Sequence, residues 1–492
     1  MINTKKAIKA KPSNKYLLWK RAAAFLTTVV ITASTLTPSV LAATDYAAEA
    51  EERKSLTIQS NETKNWPQGP QIGAEAAILM DVNSGAILYS KNIHEKLYPA
   101  STTKILTCLL AVENSNLDEE VSFSSEAVST VPSDGSSIGI DVGESMSLES
   151  CLYGIMVGSA NEVANAVAEH VSGSISDFTD LMNAKAKELG CTDSHFANPN
   201  GLFNENHYTS ANDLALIACD FFKNELLCKI ADTPTYHFTP TANQPDDFYL
   251  HNKHKLINGD ITYEGIIGGK TGYTDEARET LVTCAQRGNM KLVCVILKEE
   301  SPAQFTDTTA LFDYGFNNFK ETNDSDEDTT YIPDDSGFFE SDEDIFGNSG
   351  AILSINSDSI VTLPQNVSLS DCTSTVSYDL SDEDIESDTA AVAKIIYSYN
   401  DVSVGSAFLD AASFTTTSSG FTTGIIEDSG NSGNETIYIN ILGVILALAI
   451  LFVLVNISIF LYSFVTTYHF AGNQKDRRRY RRRKREIKKR GI

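Results

Sequence analysis

The order of hydrophobic patterns between residues 76 and 312 sets the tightest limit on how this chain can fold. Two short apolar runs, 76–81 and 86–90, flank a turn signal and predict a β-hairpin. Helical patterns dominate afterwards, and strand patterns then return. Strands that enclose a run of helices predict an α+β fold with an antiparallel sheet flanked by helices. The predicted helices cover 148–156, 161–170, 175–189, 211–222 and 302–312, and the later strands cover 268–274, 279–286 and 291–298.

The stretch 98–107 predicts a buried helix with a polar first turn. Pro99 suits the first turn of a helix, and an apolar run begins at Ile105. Ser101 and Lys104 are three positions apart, so they share one helix face. A serine becomes a nucleophile when a base takes its proton, and burial beside a second cation favours a neutral lysine. Taken alone, this short S-x-x-K pattern equally fits a capped turn with a surface lysine.

Two further motifs follow in the chain. Ser159 and Asn161 lie between two helical patterns, where a short loop can present a proton-relaying hydroxyl and a substrate-binding amide together. Alone, that pattern is also typical of a helix N-cap. Lys270, Thr271 and Gly272 begin a strand among glycines, where a peptide backbone can approach and pair as an added strand. Lys270 would also supply the second cation beside Lys104.

The three motifs, in this order and at these separations, resemble the set found in penicillin-binding proteins and class A β-lactamases. The chain is identified as a member of the serine D-alanyl-D-alanine carboxypeptidases, the low-molecular-mass penicillin-binding proteins of peptidase family S11. Other stretches share this resemblance: 80–85, 97–101, 195–202, 207–210, Asp213, 272–274 and 312–316.

The resemblance implies a β-lactamase/transpeptidase-like catalytic domain that removes the terminal D-alanine from peptidoglycan stem pentapeptides. It implies an acyl-enzyme intermediate, binding of β-lactam antibiotics, and chemistry without a metal or cofactor. Carried over by residue, the resemblance gives Ser101 as the nucleophile, Lys104 as its general base, and Ser159 and Lys270 as a proton relay. It gives Asn161 as a contact for the substrate amide, Thr271 as a contact for the substrate carboxylate and Gly272 as part of an edge for peptide pairing. The backbone N–H groups of Ser101 and Tyr273 would form the oxyanion hole.

Two positions depart from the family pattern. Relatives often carry an arginine ahead of the last helix that helps to bind the substrate carboxylate, whereas this chain has Gln304 in that stretch. Arg278 stands where a glycine is usual after the K-T-G strand. Either Arg278 compensates, or recognition of the carboxylate is weaker.

Other readings of the motifs stay open at this point. A β-lactamase would need a carboxylate for its deacylating water, and no Glu-x-x-Leu-Asn stretch lies between Asn161 and Lys270. A DD-endopeptidase, a transpeptidase acting at the same bond, or a catalytically weak cell-wall-binding homologue would share the three motifs. His251 and His254 have a metal-like spacing but are more typical of a solvated loop.

The segments outside the catalytic domain predict export. Basic residues, an apolar run and a small-residue cleavage pattern indicate a signal peptide over 1–42, with an uncleaved anchor as the alternative. The chain is then divided into a polar tether 43–70, the catalytic domain 71–318, an acidic linker 319–349, a small β-sandwich domain 350–412 and a flexible spacer 413–436. A calcium loop in the linker is disfavoured because the glycine and final glutamate of that motif are missing.

The apolar segment 437–464 contains no charged residue and is long enough to cross a bilayer. The tail 465–492 is strongly basic, so the positive-inside bias predicts a cytoplasmic tail and an external catalytic domain, a type I orientation in the cell membrane. The chain carries a net charge of −27 even though both ends are basic, so the body between them is strongly acidic. Such a body disfavours nucleic acid as a partner.

Overall fold

The fold comes from a computed structural model that describes residues 45–323, 353–356, 359–380 and 391–411. Within these ranges no helix is long and apolar enough to span a membrane. Several predicted segments lie outside the described residues: 1–42, most of the linker 319–349, the spacer 413–436, the segment 437–464 and the tail 465–492.

The strands of the described residues belong to a five-stranded central sheet in the catalytic domain, a six-stranded sheet in the second domain and two separate two-stranded sheets. The strands are β1 Ala76–Asp81, β2 Ile87–Lys91, β3 Glu120–Ser122, β4 Ser145–Ser147, β5 Thr235–Phe238, β6 Phe248–His251, β7 Ile266–Thr274, β8 Arg278–Arg287, β9 Met290–Glu299, β10 Phe319–Asn323, β11 Leu353–Ile355, β12 Ile360–Pro364, β13 Thr373–Ser377, β14 Ala391–Tyr399 and β15 Val402–Ala411. The central sheet is antiparallel in the order β2-β1-β9-β8-β7, which leaves β7 at an edge.

The helices pack on both faces of this sheet. They are α1 Tyr46–Arg53, α2 Lys104–Asn114, α3 Ser125–Ser129, α4 Leu148–Met156, α5 Asn161–Ser172, α6 Ile175–Glu188, α7 Ala211–Lys223, α8 Glu225–Ala231 and α9 Ala303–Asn318. In β1, Ile78 and Met80 join the core beneath α2 to α8, while Ala77 and Leu79 join the opposite core beneath α9. Because both faces of the sheet are buried, the sequences of its strands are nearly continuous apolar runs. The α+β arrangement predicted from the sequence is confirmed.

The second domain is all-β, but it begins earlier than predicted. Strand β10 lies within the predicted acidic linker and pairs with β12. Its first residue, Phe319, is buried, and its ring centroid lies 5.2 Å from that of Trp66. Its described strands form one antiparallel sheet in the order β10-β12-β15-β14-β13, with β11 paired to β15. The described residues of this domain therefore form a single six-stranded sheet and not the predicted sandwich, and the sheet packs against the catalytic domain.

The prediction of a polar tether over 43–70 is wrong for its described part. Residues 46–53 form α1, and the chain then runs across the catalytic domain. Ile58 and Trp66 are buried, and the Trp66 indole N–H donates to the Leu88 carbonyl oxygen at 2.9 Å. Arg53 is also buried, and its Nε donates to the Gly73 carbonyl oxygen at 2.9 Å. A few large side chains thus fix a segment whose overall composition is polar.

Candidate active site

The nucleophile candidate Ser101 lies on a tight turn ahead of α2. Residues Ala100–Thr103 form a 3₁₀ turn, and Ala100 has a left-handed φ of +49°. A non-glycine residue with positive φ is strained, and such strain persists where surrounding contacts hold it. One of these contacts is a hydrogen bond from the Thr280 hydroxyl of β8 to the Pro99 carbonyl oxygen at 2.8 Å. The turn that carries Ser101 is therefore tied to the central sheet.

Lys104 is fully buried beside Ser101 and has three hydrogen-bond partners. Its Nζ lies 3.0 Å from Ser101 Oγ and 2.7 Å from Asn161 Oδ1, and it also contacts the Asn200 carbonyl oxygen. The Asn161 and Asn200 oxygens can only accept, so they occupy two N–H groups. In the neutral amine, the remaining lone pair is directed to the Ser101 hydroxyl. This geometry suits a base that removes the serine proton.

The surroundings of Lys104 favour the neutral amine. Burial lowers the pKa of Lys104 well below its ordinary value, and the nearby charge of Lys270 lowers the pKa further. Burial also lowers the pKa of Lys270 to about 7, with a smaller contribution from Lys253. The expected second cation is therefore present, although burial is the larger cause for both lysines.

Ser159 and Lys270 form the second pair of the site. Lys270 Nζ donates to Ser159 Oγ at 3.1 Å and to the Thr271 carbonyl oxygen at 2.7 Å. Ser159 is buried and has a φ of +60°. The preceding Gly158 leaves no room for a side chain, because a Cβ there would lie 2.7 Å from Ile138 and 2.9 Å from the Gly154 oxygen. The α4–α5 loop thus holds the hydroxyl against the lysine, as a proton relay requires.

The loop 132–139 closes one side of the site over Asn161. The Asn161 backbone N–H donates to the Ser136 oxygen at 2.9 Å. Glu162, which is buried next to it in α5, accepts hydrogen bonds from the Ile138 amide at 2.6 Å and the Ser137 hydroxyl at 2.8 Å. Sequence reasoning gave Glu162 no role. Its carboxylate fixes the loop that forms the cavity wall.

Strand β7 brings the K-T-G motif to the nucleophile. A Cβ at Gly272 would lie 2.8 Å from the Ser101 backbone nitrogen, so only glycine allows this close approach. Because β7 is an edge strand, its outer backbone groups face the cavity and are available to pair with a peptide. Tyr273 is 50% exposed at the rim of the same cavity.

The site opens into a cavity of about 730 Å³. Of the eight residues predicted from the sequence, Lys104 and Lys270 lie buried behind the cavity, and the other six line it: Ser101, Ser159, Asn161, Thr271, Gly272 and Tyr273. The structure therefore brings all eight predicted residues together at one place. Their individual roles stay predictions.

Arg278 does not line this cavity. Its Nε and Nη2 donate to the two carboxylate oxygens of Glu300 at 3.0 and 2.6 Å, so its charge is already paired. The cavity is lined instead by Lys253, Lys255 and Gln304. The ammonium of Lys255 faces the Phe305 ring at 5.9 Å, and Glu279 also lines the cavity. Burial raises the pKa of Glu279, and the nearby charge of Lys255 opposes that rise in part. The positive charge at the cavity wall therefore comes from two lysines, Lys253 and Lys255, which sequence reasoning missed.

Two other buried residues, Asn200 and His207, contact the residues that position Ser101 and Lys104. Asn200 is buried, and its side chain donates to Asn165 Oδ1 at 2.8 Å, which fixes the carbonyl oxygen that contacts Lys104. His207 lies 2.8 Å from the Thr103 hydroxyl, and burial lowers the pKa of His207 to about 3, so it is neutral there. Both residues belong to stretches that carried the family resemblance, which was the available signal.

The prediction of a solvated histidine pair is wrong for His254, because its ring is buried against β8. His254 is fully buried and bonds to Thr283 Oγ1 at 2.8 Å, while the exposed His251 bonds to Thr235 at 3.1 Å. Within the described residues, no group of three His, Cys, Asp or Glu side chains is placed to hold a metal ion.

Comparison with known sequences gives consistent matches. A family model described as D-alanyl-D-alanine carboxypeptidase, Peptidase S11, matches residues 62–301. The D-alanyl-D-alanine carboxypeptidase DacF of Bacillus subtilis is 38% identical over 253 residues, which cover 50% of this chain and 63% of that protein. DacB2 of Mycobacterium tuberculosis, with the same description, is 32% identical over 256 residues, which cover 51% of this chain and 84% of that protein. The chain thus spans less than two thirds of the Bacillus protein and most of the mycobacterial one.

Among solved structures, penicillin binding protein 5 from Haemophilus influenzae superposes with a TM-score of 0.54. The two chains are 24% identical, and the match covers 70% of this chain and 98% of the other. At this identity the similarity concerns the fold, and it confirms the transpeptidase-like architecture predicted from the sequence.

Proposed function

Because the chain belongs to the D-alanyl-D-alanine carboxypeptidase family, we propose that it removes the terminal D-alanine from peptidoglycan stem pentapeptides through an acyl-enzyme on Ser101. The observation that supports this most directly is the contact of Lys104 Nζ with Ser101 Oγ at 3.0 Å, inside a cavity bordered by an edge strand. A neutral base, a nucleophile and a place for a peptide backbone are the parts that acyl transfer requires.

The reaction proceeds in two halves. In the first, Lys104 takes the Ser101 proton as Oγ attacks the carbonyl carbon of the penultimate D-alanine. The C–N bond then breaks, and the Lys270–Ser159 pair delivers a proton to the departing amine of the terminal D-alanine. Lys104 then passes its extra proton to the Lys270–Ser159 pair, so both are restored. In the second half, neutral Lys104 takes a proton from the water that attacks the ester carbonyl and gives it to Ser101 Oγ as the C–Oγ bond breaks, which releases the shortened stem peptide. Backbone N–H groups at Ser101 and Tyr273 stabilise the developing oxyanion.

Carboxylate recognition in this chain rests on Thr271 and the half-buried Lys255. The terminal carboxylate of the peptide, bound along β7, would face the wall formed by Lys255 and Gln304. Lysine offers a point charge without the bidentate geometry of arginine, so a single ammonium contact replaces a planar pair of hydrogen bonds.

A fluorescent penicillin tests the reaction class directly. The purified full-length chain should be labelled, and mass spectrometry should place the adduct on the peptide that contains Ser101. Ser101→Ala should remain folded and unlabelled. An adduct on another residue, or an unlabelled folded wild type, would show that Ser101 is not the nucleophile. Product analysis with a stem pentapeptide separates the alternatives, since a transpeptidase or endopeptidase would form or cleave cross-links in place of releasing D-alanine.

We also propose a type I orientation in the cell membrane, with 43–436 external and 471–492 cytoplasmic. The support is the uncharged segment 437–464 and the basic tail that follows it. Moving that tail outwards would oppose the membrane potential by about 2.3 kcal/mol per charge per 100 mV. Protease added to intact cells without an outer barrier should remove the catalytic domain and leave an epitope at Ile492 protected. Loss of that epitope without lysis would contradict the orientation.

A further inference from the structure

An N-terminal helix reaches the rim of the substrate cavity. Helix α1 lies before residue 62, where the family match begins. Its first residue, Tyr46, packs its ring on the guanidinium of Arg278, with Cζ 3.7 Å from the ring centroid. Tyr46 is still 39% exposed, so core burial does not account for this contact. The stacked geometry is that of a cation–π interaction.

A single carboxylate joins the other end of α1 to the same arginine. Glu300 accepts two hydrogen bonds from Arg278, and its Oε1 also lies 3.6 Å from Arg53 Nη2. Arg53 ends α1, and its backbone oxygen accepts a hydrogen bond from the buried Lys91 Nζ at 2.8 Å. Both ends of the helix therefore contact the Arg278–Glu300 pair, and the helix itself is anchored to β2.

Arg278 connects α1 to the cavity through a contact with Tyr273. Its Nη1 donates to the Tyr273 hydroxyl at 3.1 Å, and that hydroxyl lies 3.0 Å from Asp275 Oδ1. Tyr273 directly follows the K-T-G motif on β7 and lines the cavity. Arg278 itself has a φ of +54°, a left-handed backbone that requires support when the residue is not glycine. Tyr46, Glu300 and Tyr273 supply that support.

We propose that α1 is a positioning element for the substrate-binding edge. Tyr46 and Arg53 hold the Arg278–Glu300 pair, and this pair holds the Tyr273 side chain and the β7–β8 turn in the arrangement that receives the peptide. A rim that is ordered before binding spares the ligand the free energy of ordering it. The inference rests on the proposed function, because the ligand concerned is the stem peptide. It assigns α1 mainly to peptide affinity. The effect on the chemical step is smaller, because Arg278 contacts the Tyr273 side-chain hydroxyl, whereas the proposed oxyanion-hole contribution of Tyr273 comes from its backbone N–H.

The test compares Tyr46→Ala with Tyr46→Phe in the full-length chain, using D-alanine release from a stem pentapeptide. Loss of the ring should raise KM by about threefold to tenfold, the range expected when one or two side chains must be ordered on binding. The value of kcat should change less than KM, because the contact that is weakened holds the Tyr273 side chain, whereas its proposed catalytic group is the backbone N–H. Tyr46→Phe keeps the ring and should restore the wild-type KM. Lys54→Ala, which removes an exposed lysine paired with Glu51 next to the same helix, should leave KM unchanged.

Hydrogen exchange supplies a readout that does not depend on turnover. Backbone amides of residues 271–279 should exchange faster in Tyr46→Ala than in Tyr46→Phe or Lys54→Ala, without a general rise across the α2–α8 core. Unchanged exchange in 271–279 together with an unchanged KM would overturn the proposal, as would an equal fall in kcat and in thermal stability. If the wild-type chain released no D-alanine, the proposed function would fail, and the exchange comparison alone would decide the role of α1.

Discussion

Lys104 Nζ lies 3.0 Å from Ser101 Oγ, and the amine is oriented towards this hydroxyl by two carbonyl oxygens that can only accept. One of the oxygens belongs to Asn161, which also lines the substrate cavity. The residue proposed to contact the substrate amide therefore also fixes the direction of the base. Changes at Asn161 should disturb both binding and proton transfer, so Lys104 offers the cleaner test of the base.

Replacement of Lys104 should remove the base. Lys104→Arg keeps a cation but cannot deprotonate, and Lys104→Met keeps the length without an amine. We expect both variants to lose acylation by a fluorescent penicillin by about 10²–10⁴-fold, the usual contribution of general acid–base catalysis. Stopped-flow labelling rates give the measurement, and circular dichroism verifies that each variant is folded. Acylation within tenfold of wild type in either variant would assign the base to another group.

The pH dependence of acylation should respond to Lys253. This exposed lysine lies at the cavity and lowers the pKa values of both Lys104 and Lys270. In Lys253→Met, loss of the positive charge lets both pKa values rise, so a higher pH is needed to produce the neutral amine. The acid limb of the kcat/KM profile for penicillin acylation should therefore move to higher pH. Lys223→Met removes a lysine outside the cavity and should leave the profile in place.

Carboxylate binding should depend on Lys255. We expect Lys255→Met to lower kcat/KM for a stem pentapeptide by about tenfold, equivalent to about 1.4 kcal/mol. The same peptide with a C-terminal carboxamide should lose little, because it presents no negative charge to the lysine. A similar loss for the acid and the amide would mean that Lys255 acts on the shape of the cavity and not on the carboxylate.

A second substitution at the same cavity wall should restore the positive charge that Lys255→Met removes. Gln304 is buried, lines the cavity, and has an Oε1 atom without a hydrogen-bond partner in the described structure. Gln304→Arg places a guanidinium where relatives often carry one, so it should restore kcat/KM for the acid substrate in the Lys255→Met background. Gln304→Met, of similar size and without charge, is the matched control and should give no recovery.

The parts of the site that were predictable from the sequence are those set by short spacing. Ser101 and Lys104 are one helical turn apart, and each of the other motifs spans a few residues. Their assembly depends on separations of 57 residues between Lys104 and Asn161 and 111 between Lys270 and Ser159. No periodicity encodes such contacts. Their prediction rested on the motif order, which resembles that of a family with a shared topology.

Sequence reasoning missed two kinds of feature: a residue that acts through its backbone, and buried side chains within a segment of mostly polar composition. Asn200 supports Lys104 through a carbonyl oxygen, which any residue type possesses, so its identity gives little signal. The sequence predicts a tether over 43–70 because the stretch is polar and acidic. Ile58, Trp66 and Arg53 are nonetheless buried, and three anchors are enough to order a short segment on a preformed surface.

A pair of carboxyl groups behind the N-terminal segment should make stability depend on pH. Glu299 is fully buried, its Oε1 accepts a hydrogen bond from the Glu300 amide at 2.8 Å, and Asp307 lies beside it. Burial raises the pKa of Glu299, hydrogen bonding to Asp307 raises it further, and the nearby Arg53 opposes the shift in part. Lys91, also buried nearby, gains a more favourable interaction when Glu299 is charged. Glu299 can donate a hydrogen bond to Asp307 only while Glu299 keeps its proton, so the folded chain favours the protonated form of Glu299.

The sign of the effect follows from the raised pKa. The folded chain holds a proton on Glu299 that the unfolded chain releases near pH 4.5, so this contribution to stability is full below that pH and is lost as the pH rises through the folded-state pKa. Glu299→Gln carries a permanent donor to Asp307 and should flatten the fall in the free energy of unfolding between pH 5 and neutrality. Urea titrations across this range, with the exposed Glu205→Gln as control, give the measurement. A wild-type slope that survives in Glu299→Gln would place the titrating group elsewhere.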